Sequence, residues 1–200
     1  MKSIVIASNN QGKIKEIKEI LASKSFEFLS LKEAGFDSDM VEDQDSFEGN
    51  ALKKATTVVK VVNQMTLADD SGLEVDALHG QPGILSARFA GDGATDLANN
   101  SKLLEIMKDI PIEQRGAQFR CVMVLILPNG KTYSAEGVCR GIIADKAYGN
   151  KGFGYDPLFI PEGYARTFGQ IDEDEKNKIS HRFIALQKLK AIMIKEDLFD

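Results

Sequence analysis

A strand followed at once by a helix opens the chain, and this pattern limits the fold more than any other feature of the sequence. Ser3–Ala7 is a short apolar run that predicts a buried strand. From Ile14 to Leu21 an apolar residue recurs every three or four positions, which predicts a helix that begins near Gly12. A buried strand that leads into a helix is typical of proteins in which helices cover a sheet.

The same two periodicities continue to the end of the chain. Apolar residues at helical spacing predict three further helices, marked by Phe47, Ala51, Ala55, Val58 and Val62, by Leu97, Leu104 and Met107, and by Phe183, Leu186, Leu189 and Met193. Strand-like runs are Phe26–Leu31, Leu67–Asp69, Phe119–Leu127 and Tyr133–Ala144, with a hairpin turn signal at Pro128–Lys131. We therefore predict an α/β or α+β chain around a mixed sheet, with an antiparallel section in its second half. At 200 residues, 43% of them hydrophobic, the chain fits one domain or one domain with two lobes.

Charge and composition exclude several classes of protein. The formal net charge is −5 and no basic face is visible, so we expect no nucleic-acid partner. The two cysteines, Cys121 and Cys139, form neither a metal spacing nor a disulfide framework, which favours a reducing compartment. The apolar run at the N-terminus is too short for a signal peptide, and no segment reaches the length of a membrane span. We expect a cytoplasmic protein with no membrane partner.

Two adjacent carboxylates, Asp69 and Asp70, follow the apolar Leu67 and Ala68 and precede Ser71 and Gly72. Aspartate is a poor strand former and neighbouring like charges repel, so the pair is easiest to explain where a cation or a reacting water uses it. Mg²⁺ prefers oxygen ligands and keeps several waters. The alternative is an ordinary turn, since Asp-Asp-Ser-Gly is also a common turn composition.

A polar turn lies between the first strand and the first helix. It consists of Ser8, Asn9, Asn10, Gln11, Gly12 and Lys13. The start of a helix presents free backbone N–H groups and a positive dipole end, glycine allows close approach, and lysine adds a full charge. The turn is therefore a candidate phosphate site, although it lacks the complete P-loop pattern. The alternative is a capped helix with a solvated lysine.

An acidic segment precedes the second helix. Between residues 37 and 48 it carries Asp37, Asp39, Glu42, Asp43, Asp45 and Glu48 and no base. Such a segment is more often a solvated loop than a metal site. Glu42 becomes a candidate Mg²⁺ ligand only in combination with Asp70, because Mg²⁺ commonly bridges one or two carboxylates and substrate phosphates.

Two segments near the C-terminus suit a planar ligand. Gly152–Pro157 surrounds aromatic side chains with glycine, which leaves a ring face open for a base. Further on, Ser180 can cap the last helix, which would place His181 and Arg182 in its first turn. Cations there oppose the helix dipole, so an anion or a carbonyl partner is expected. The alternatives are a hydrophobic turn and an exposed basic turn.

Six sequence blocks together resemble the inosine triphosphate pyrophosphatase family, which removes deaminated purine nucleotides from the nucleotide pool. The blocks occur in the family's order and cover nearly the whole chain. They are Ser8–Lys13, Phe47–Ala55 (with Glu48, Asn50, Ala51 and Lys54), Ala68–Leu73, Pro82–Arg88 (with Gly83, Ser86 and Ala87), Gly152–Pro157 and Ser180–Arg182.

The resemblance implies an α/β fold over residues 1–200, with an elongated mixed sheet, flanking helices, two lobes and a central nucleotide cleft, usually as a homodimer. It implies Mg²⁺-dependent hydrolysis of ITP, dITP or XTP, a small-molecule substrate, to the nucleoside monophosphate and pyrophosphate. By resemblance Asp70 is the proton acceptor and a Mg²⁺ ligand, and Glu42 is the second ligand. The implied substrate-binding residues are Ser8, Asn9, Asn10, Gln11, Gly12, Lys13, Ser71, Phe153, Gly154, Tyr155, Asp156, Lys176, His181 and Arg182.

Within this interpretation, Lys176, His181 or Arg182 would donate to the 6-oxo group of the base, an acceptor that adenine lacks. The sequence does not show how guanine is rejected, nor whether another acid replaces Glu42. Departures from the family pattern occur at Ala147–Gly149, Gly169–Ile171 and Gln44. Two alternatives remain open: a hydrolase of other modified nucleotides, such as modified pyrimidine nucleotides, and a nucleotide-binding regulator without catalysis.

Overall fold

The computed structural model describes residues 2–22, 26–38 and 40–198, which form a mixed six-stranded sheet with flanking helices. The strands are β1 (Lys2–Ile6), β2 (Phe26–Leu29), β3 (Met65–Val75), β4 (Gly116–Ile126), β5 (Thr132–Ile143) and β6 (Phe159–Pro161). The helices are α1 (Gln11–Ile20), α2 (Phe47–Val62), α3 (Asp96–Met107), α4 (Glu173–Lys176) and α5 (His181–Lys195). The predicted α/β fold class is confirmed.

The order of strands across the sheet is β2-β1-β3-β4-β5-β6. β1 pairs in parallel with both β2 and β3, while β5 and β6 are antiparallel. The predicted hairpin between β4 and β5 is confirmed: Leu127 N donates to Lys131 O at 2.9 Å, and Gly130 takes the positive φ of 85° that the turn requires. The mixed sheet therefore has its antiparallel section in the second half of the chain, as expected.

The chain divides into two compact units. The first consists of Met1–Asp70, Cys121–Gly137 and Arg182–Asp200, and the second of Ser71–Arg120 and Val138–His181. β3, β4 and β5 each have residues in both ranges, so the division falls within these strands and not in a linker.

The first unit has a core made of strand and helix residues. Ile4 and Ile6 from β1 pack with Ile17 from α1 and with Leu186 and Leu189 from α5. These isoleucines and leucines are the residues whose spacing predicted the elements, so the predicted faces of α1 and α5 are confirmed as core. No helix in the described part of the chain is long and apolar enough to cross a membrane.

The second unit has a core rich in aromatic rings, and α3 contributes to it in an unexpected way. Phe119, Phe159 and Phe168 pack together at its centre. The sequence predicted Leu97 on the apolar face of α3, and this is wrong, since Leu97 is 76% exposed. The buried face instead carries Asn99 and Asn100 beside Leu103 and Met107, and amides on a buried face escape a search for apolar periodicity.

Candidate active site

Two adjacent carboxylates lie within a buried strand. β3 runs without interruption from Met65 to Val75 and includes Asp69 and Asp70, which are 1% and 5% exposed. The alternative that Asp-Asp-Ser-Gly forms a turn is therefore wrong. Because consecutive side chains of a strand point to opposite faces, the two carboxylates enter different surroundings. Asp69 pairs with Lys13 and Arg182, and Asp70 pairs with Lys54.

Asp69 joins the polar turn at the start of α1. The Lys13 Nζ atom lies 3.0 Å from Asp69 Oδ2. Asn10 caps α1, its Oδ1 accepting from Lys13 N at 3.1 Å, as expected for a short polar side chain at this position. Ser8 Oγ accepts from Asn10 N at 3.2 Å, so the turn is held from within. Asn9, Gln11 and Gly12 complete the turn, in which Asn9 and Gln11 are exposed and Gly12 is half-buried.

Asp70 faces a buried lysine that the sequence analysis left without a role. Lys54 Nζ lies 3.3 Å from Asp70 Oδ1 and 2.6 Å from Glu42 Oε1. Asn50 Nδ2 donates to Asp70 Oδ2 at 3.1 Å, and Asn50 Oδ1 accepts from Gln44 N at 3.0 Å. The structure thus brings Glu42 and Asp70 to one shared cation and connects the acidic segment to β3.

Asn50 and Lys54 could have been found from the sequence. Both lie one turn apart on the α2 face that also carries Phe47, Ala51 and Val58, and both belong to one of the matching blocks. A lysine on an otherwise apolar helix face must find a buried anion, because a buried unpaired charge is costly. Neither residue was predicted as part of the site, because a lysine within a helix is more often solvated.

The two aspartates differ in proton affinity. Burial alone would raise the pKa of Asp69, but the cations Lys13, Arg182 and Lys54 outweigh it and hold that pKa well below the ordinary value of 3.8. Burial raises the pKa of Asp70 above the same ordinary value, against the opposing charges of Lys54 and Lys13. Neighbouring carboxyls with opposite shifts are typical of sites in which one stays ionised and the other exchanges a proton.

Lys54 and Glu42, the two groups that share an ion pair beside Asp70, both keep their charge. Burial alone would lower the pKa of Lys54, but Asp70, Asp69 and Glu42 raise it. For Glu42, burial is opposed by the charge of Lys54 and by its hydrogen bond, and the pKa falls. The site therefore holds an ammonium group and an ionised carboxylate next to one carboxyl of raised pKa.

Arg182 lies in this first unit and is 1% exposed. Its guanidinium forms an ion pair with the buried Glu16 of α1, and its NH2 group lies 3.6 Å from Asp69 Oδ2. Two carboxylates thus offset the unfavourable position of this cation in the first turn of α5. Direct contact between Arg182 and a base stays a prediction.

The remaining predicted residues lie in the second unit, where a buried ion pair organises them. Lys176 Nζ lies 2.6 Å from Asp156 Oδ2, with the two side chains 4% and 3% exposed, and 4.8 Å from the centroid of the Phe153 ring. Phe153 N donates to the same Asp156 oxygen at 2.9 Å. Tyr155 OH donates to Ser86 O at 2.8 Å. The segment 153–156 is therefore fixed at several points.

His181 and Ser71 complete the predicted set. The His181 ring stacks on Phe119, with centroids 4.8 Å apart and planes 12° apart, and the residue is 4% exposed. Ser71 follows Asp70 directly in β3 and is half-buried. The structure thus brings the predicted residues together in two groups. Those around Lys13, Glu42 and Asp70 lie in the first unit, and those around Lys176 lie in the second.

Few carboxylates lie close enough together to form a metal site from protein ligands alone. Within residues 2–22, 26–38 and 40–198, no three His, Cys, Asp or Glu side chains are grouped so that they could hold an ion. Of the six acids in the segment 37–48, Asp39 lies outside the described residues. Asp43 forms its ion pair with Lys53, at 2.6 Å. Glu42, in contrast, shares the cation Lys54 with Asp70.

Comparisons with known proteins agree with one another. A model described as the Ham1 family matches residues 4–192. The dITP/XTP pyrophosphatase of Clostridium perfringens (strain 13 / Type A) is 49% identical, covering 95% of this chain and 96% of that protein. That of Bacillus subtilis (strain 168) is 47% identical, covering 96% and 98%. Among solved structures, the Staphylococcus aureus Ham1 protein is 42% identical with a TM-score of 0.87, covering 98% of this chain and 100% of that one.

Proposed function

The chain belongs to the Ham1 family, and on that premise we propose that it hydrolyses deaminated purine nucleoside triphosphates to the nucleoside monophosphate and pyrophosphate. The proposed substrates are ITP, dITP and XTP. One structural observation carries the proposal: Asp70, with its raised pKa, lies beside the buried Lys54, and its neighbour Asp69 holds Lys13 of the polar turn. Relatives of nearly equal length that are 47% and 49% identical bear the name dITP/XTP pyrophosphatase.

In this proposal the polar turn binds the phosphates. The backbone N–H groups at the start of α1 point away from the helix and carry a partial positive charge. Lys13 adds a full charge that Asp69 holds in place at 3.0 Å. Ser8, Asn9 and Gln11 supply neutral donors beside it. Together they neutralise the pyrophosphate as it leaves.

Asp70 acts as the general base. Its raised pKa brings the carboxyl closer to the range in which it can take a proton from water at neutral pH. Asn50 fixes one carboxylate oxygen, Oδ2, and so orients the carboxylate that takes a proton from the attacking water. Asp69 stays ionised because three cations surround it, so it holds Lys13 and does not compete as a base.

The donor set fits Mg²⁺. Glu42 and Asp70 both direct carboxylate oxygens at one cation, Lys54, and Mg²⁺ needs only one or two protein carboxylates when substrate phosphates and waters complete its shell. Glu42 and Asp70 would hold the ion. When bound there, Mg²⁺ supplies positive charge to the phosphates and lowers the pKa of a bound water. Lys54 balances the two carboxylates in the absence of substrate.

Residues of the second unit recognise the base. Lys176 and His181 are the candidate donors to the 6-oxo group that hypoxanthine and xanthine carry and adenine lacks. A buried site built to donate there leaves its donors unpaired with adenine, and such a mismatch lowers kcat/KM by a large factor. Phe153 and Tyr155 provide aromatic surface for the base. From the resemblance alone, we further propose a homodimer in the cytoplasm.

The test is a substrate panel with Mg²⁺: ITP, XTP, dITP, the four standard nucleoside triphosphates and a modified pyrimidine triphosphate. We expect IMP and pyrophosphate from ITP and little turnover of ATP. Chromatography that shows IDP and orthophosphate instead would refute the pyrophosphatase assignment, and full activity in excess EDTA would refute the role of the metal. Binding without turnover would favour the non-catalytic regulator.

A variant separates chemistry from folding. Asp70→Asn is nearly isosteric, and we expect it to lower kcat by about 100-fold or more, the scale on which a general base contributes. The thermal unfolding midpoint serves as its control and should not fall. Normal turnover by this variant would leave Asp70 a structural residue and make Asp69 the next candidate.

A further inference from the structure

Helix α3 hydrogen-bonds both backbone polar groups of one residue in the segment 153–156. Gly154 N donates to Asp96 Oδ2 at 2.7 Å, and Gly154 O accepts from Asn100 Nδ2 at 3.0 Å. Asp96 and Asn100 are four residues apart, so they lie one turn apart on the same face of the helix. The N–H and the C=O of Gly154 thus both bond to α3. None of the proposed binding residues lies in this helix.

Gly154 has a backbone conformation that few other residues adopt. Its φ of +61° lies in the left-handed region that favours glycine, and a Cβ built there meets no heavy atom of the described chain within 4 Å. The neighbouring residues have other anchors: Tyr155 bonds to Ser86, and Phe153 N bonds to Asp156. Gly154 itself is held by its two bonds to α3.

Asn100 is a costly residue at this position, which indicates that its bond to Gly154 is what matters. It is 8% exposed, in the interior of a helix, where asparagine is a weak helix former. Its Oδ1 has no hydrogen-bond partner in residues 2–22, 26–38 and 40–198. An apolar residue of similar size would remove this buried unsatisfied acceptor, which offsets the loss of the bond to Gly154 O. A purely structural role would favour leucine here.

We propose that Asp96 and Asn100 are positioning residues that set base selectivity by fixing the backbone of Gly154. Through it they fix where the Phe153 ring lies relative to Lys176, 4.8 Å from the ring centroid. The inference rests on the proposed function, in which the segment 153–156 binds the base. Neither residue touches the substrate in this scheme; both act through the backbone of Gly154.

The test compares three variants with a matched control. Asp96→Ala and Asn100→Leu each remove one bond to Gly154, and Asp96→Asn keeps an acceptor oxygen and should restore the wild-type behaviour. The control is Thr95→Ala, because Thr95 Oγ1 caps α3 by accepting from Ala98 N at 3.2 Å and so supports the same helix without contacting Gly154. Three quantities are measured: kcat/KM for ITP and for ATP, the exchange rate of the Gly154 amide hydrogen, and the thermal midpoint.

We expect Asp96→Ala and Asn100→Leu to lower the ITP/ATP ratio of kcat/KM roughly five- to tenfold, the effect of one hydrogen bond, mainly through KM for ITP. Gly154 amide exchange should rise about tenfold in Asp96→Ala, and the midpoint of Asn100→Leu should not fall. Thr95→Ala should lower the midpoint and change the ratio by less than about twofold.

Two results would overturn the inference: an unchanged ratio in variants whose Gly154 amide exchanges faster, or a ratio that falls as much in Thr95→Ala. A wild-type protein that releases no IMP and pyrophosphate from ITP would overturn the proposed function first. That failure is recognised before any variant is compared, so the two failures stay distinguishable.

Discussion

The replacement Arg182→Ala distinguishes a buried structural cation from a base-binding one. The Arg182 side chain is 1% exposed and pairs with Glu16, whose side chain is 4% exposed, while a second contact of 3.6 Å reaches the fully buried Asp69. Removing one partner of a buried ion pair leaves buried carboxylate charge without that compensation, which costs about 3–5 kcal/mol. Asp69 keeps its ion pair with Lys13 at 3.0 Å in this variant. We expect the free energy of unfolding to fall by that amount.

Urea denaturation measures the loss, and Arg140→Ala is the matched control. Arg140 also pairs with a carboxylate, Asp76, at 3.1 Å, but these two side chains are 52% and 51% exposed. Solvent screens an exposed pair, so the control should lose less than about 1 kcal/mol. The double variant Glu16→Leu with Arg182→Met removes both charges and should recover about 1–3 kcal/mol of the loss.

The sequence alone leads to a different expectation for the same variant. If Arg182 donates to the 6-oxo group, Arg182→Ala should lower the ITP/ATP ratio of kcat/KM by roughly ten- to a hundredfold, because one charge-assisted hydrogen bond is lost. A variant of nearly wild-type stability that shows this loss of selectivity would refute the reasoning from burial. A large loss of stability with an unchanged ratio would confirm it.

Three further predictions concern the site in the first unit. Lys13→Ala should lower kcat/KM for ITP and for the poor substrate GTP by the same factor, roughly tenfold or more, because the phosphate group does not identify the base; a loss confined to ITP would contradict this. Lys54→Met removes a charge that lowers the pKa of Asp70, so the acidic limb of the kcat/KM profile should move to higher pH; an unmoved limb would mean that Asp70 is not the titrating base. Because the pKa of Asp69 is held below its ordinary value of 3.8, folding favours the ionised form, so this stabilisation is complete above that pH and declines as the pH falls below it. Measuring the free energy of unfolding as the pH is lowered checks this, and Asp69→Asn should make the decline in stability shallower.

Much of the fold follows from local pattern. Apolar residues at helical spacing predicted α1, α2 and α5, and two strand-like runs joined by a Pro-Asn-Gly turn predicted β4, β5 and their hairpin. Such periodicity reports which face of an element is buried, and burial of apolar surface is the main force that forms the element. The polar turn at Ser8–Lys13 was also predictable, since capping depends on residues only three apart.

The fold class, most of the helices and strands, and the candidate site residues could all be predicted from the sequence alone. The contacts that those side chains make follow only from the tertiary structure. Arg182 and Glu16 are 166 positions apart, and no local pattern pairs them. Asp69 and Asp70 are the same residue type. Their pKa values shift in opposite directions because the strand directs the two side chains at different cations. Electrostatic surroundings depend on distance in space, so the division of roles between two neighbouring carboxylates appears only once the chain is folded.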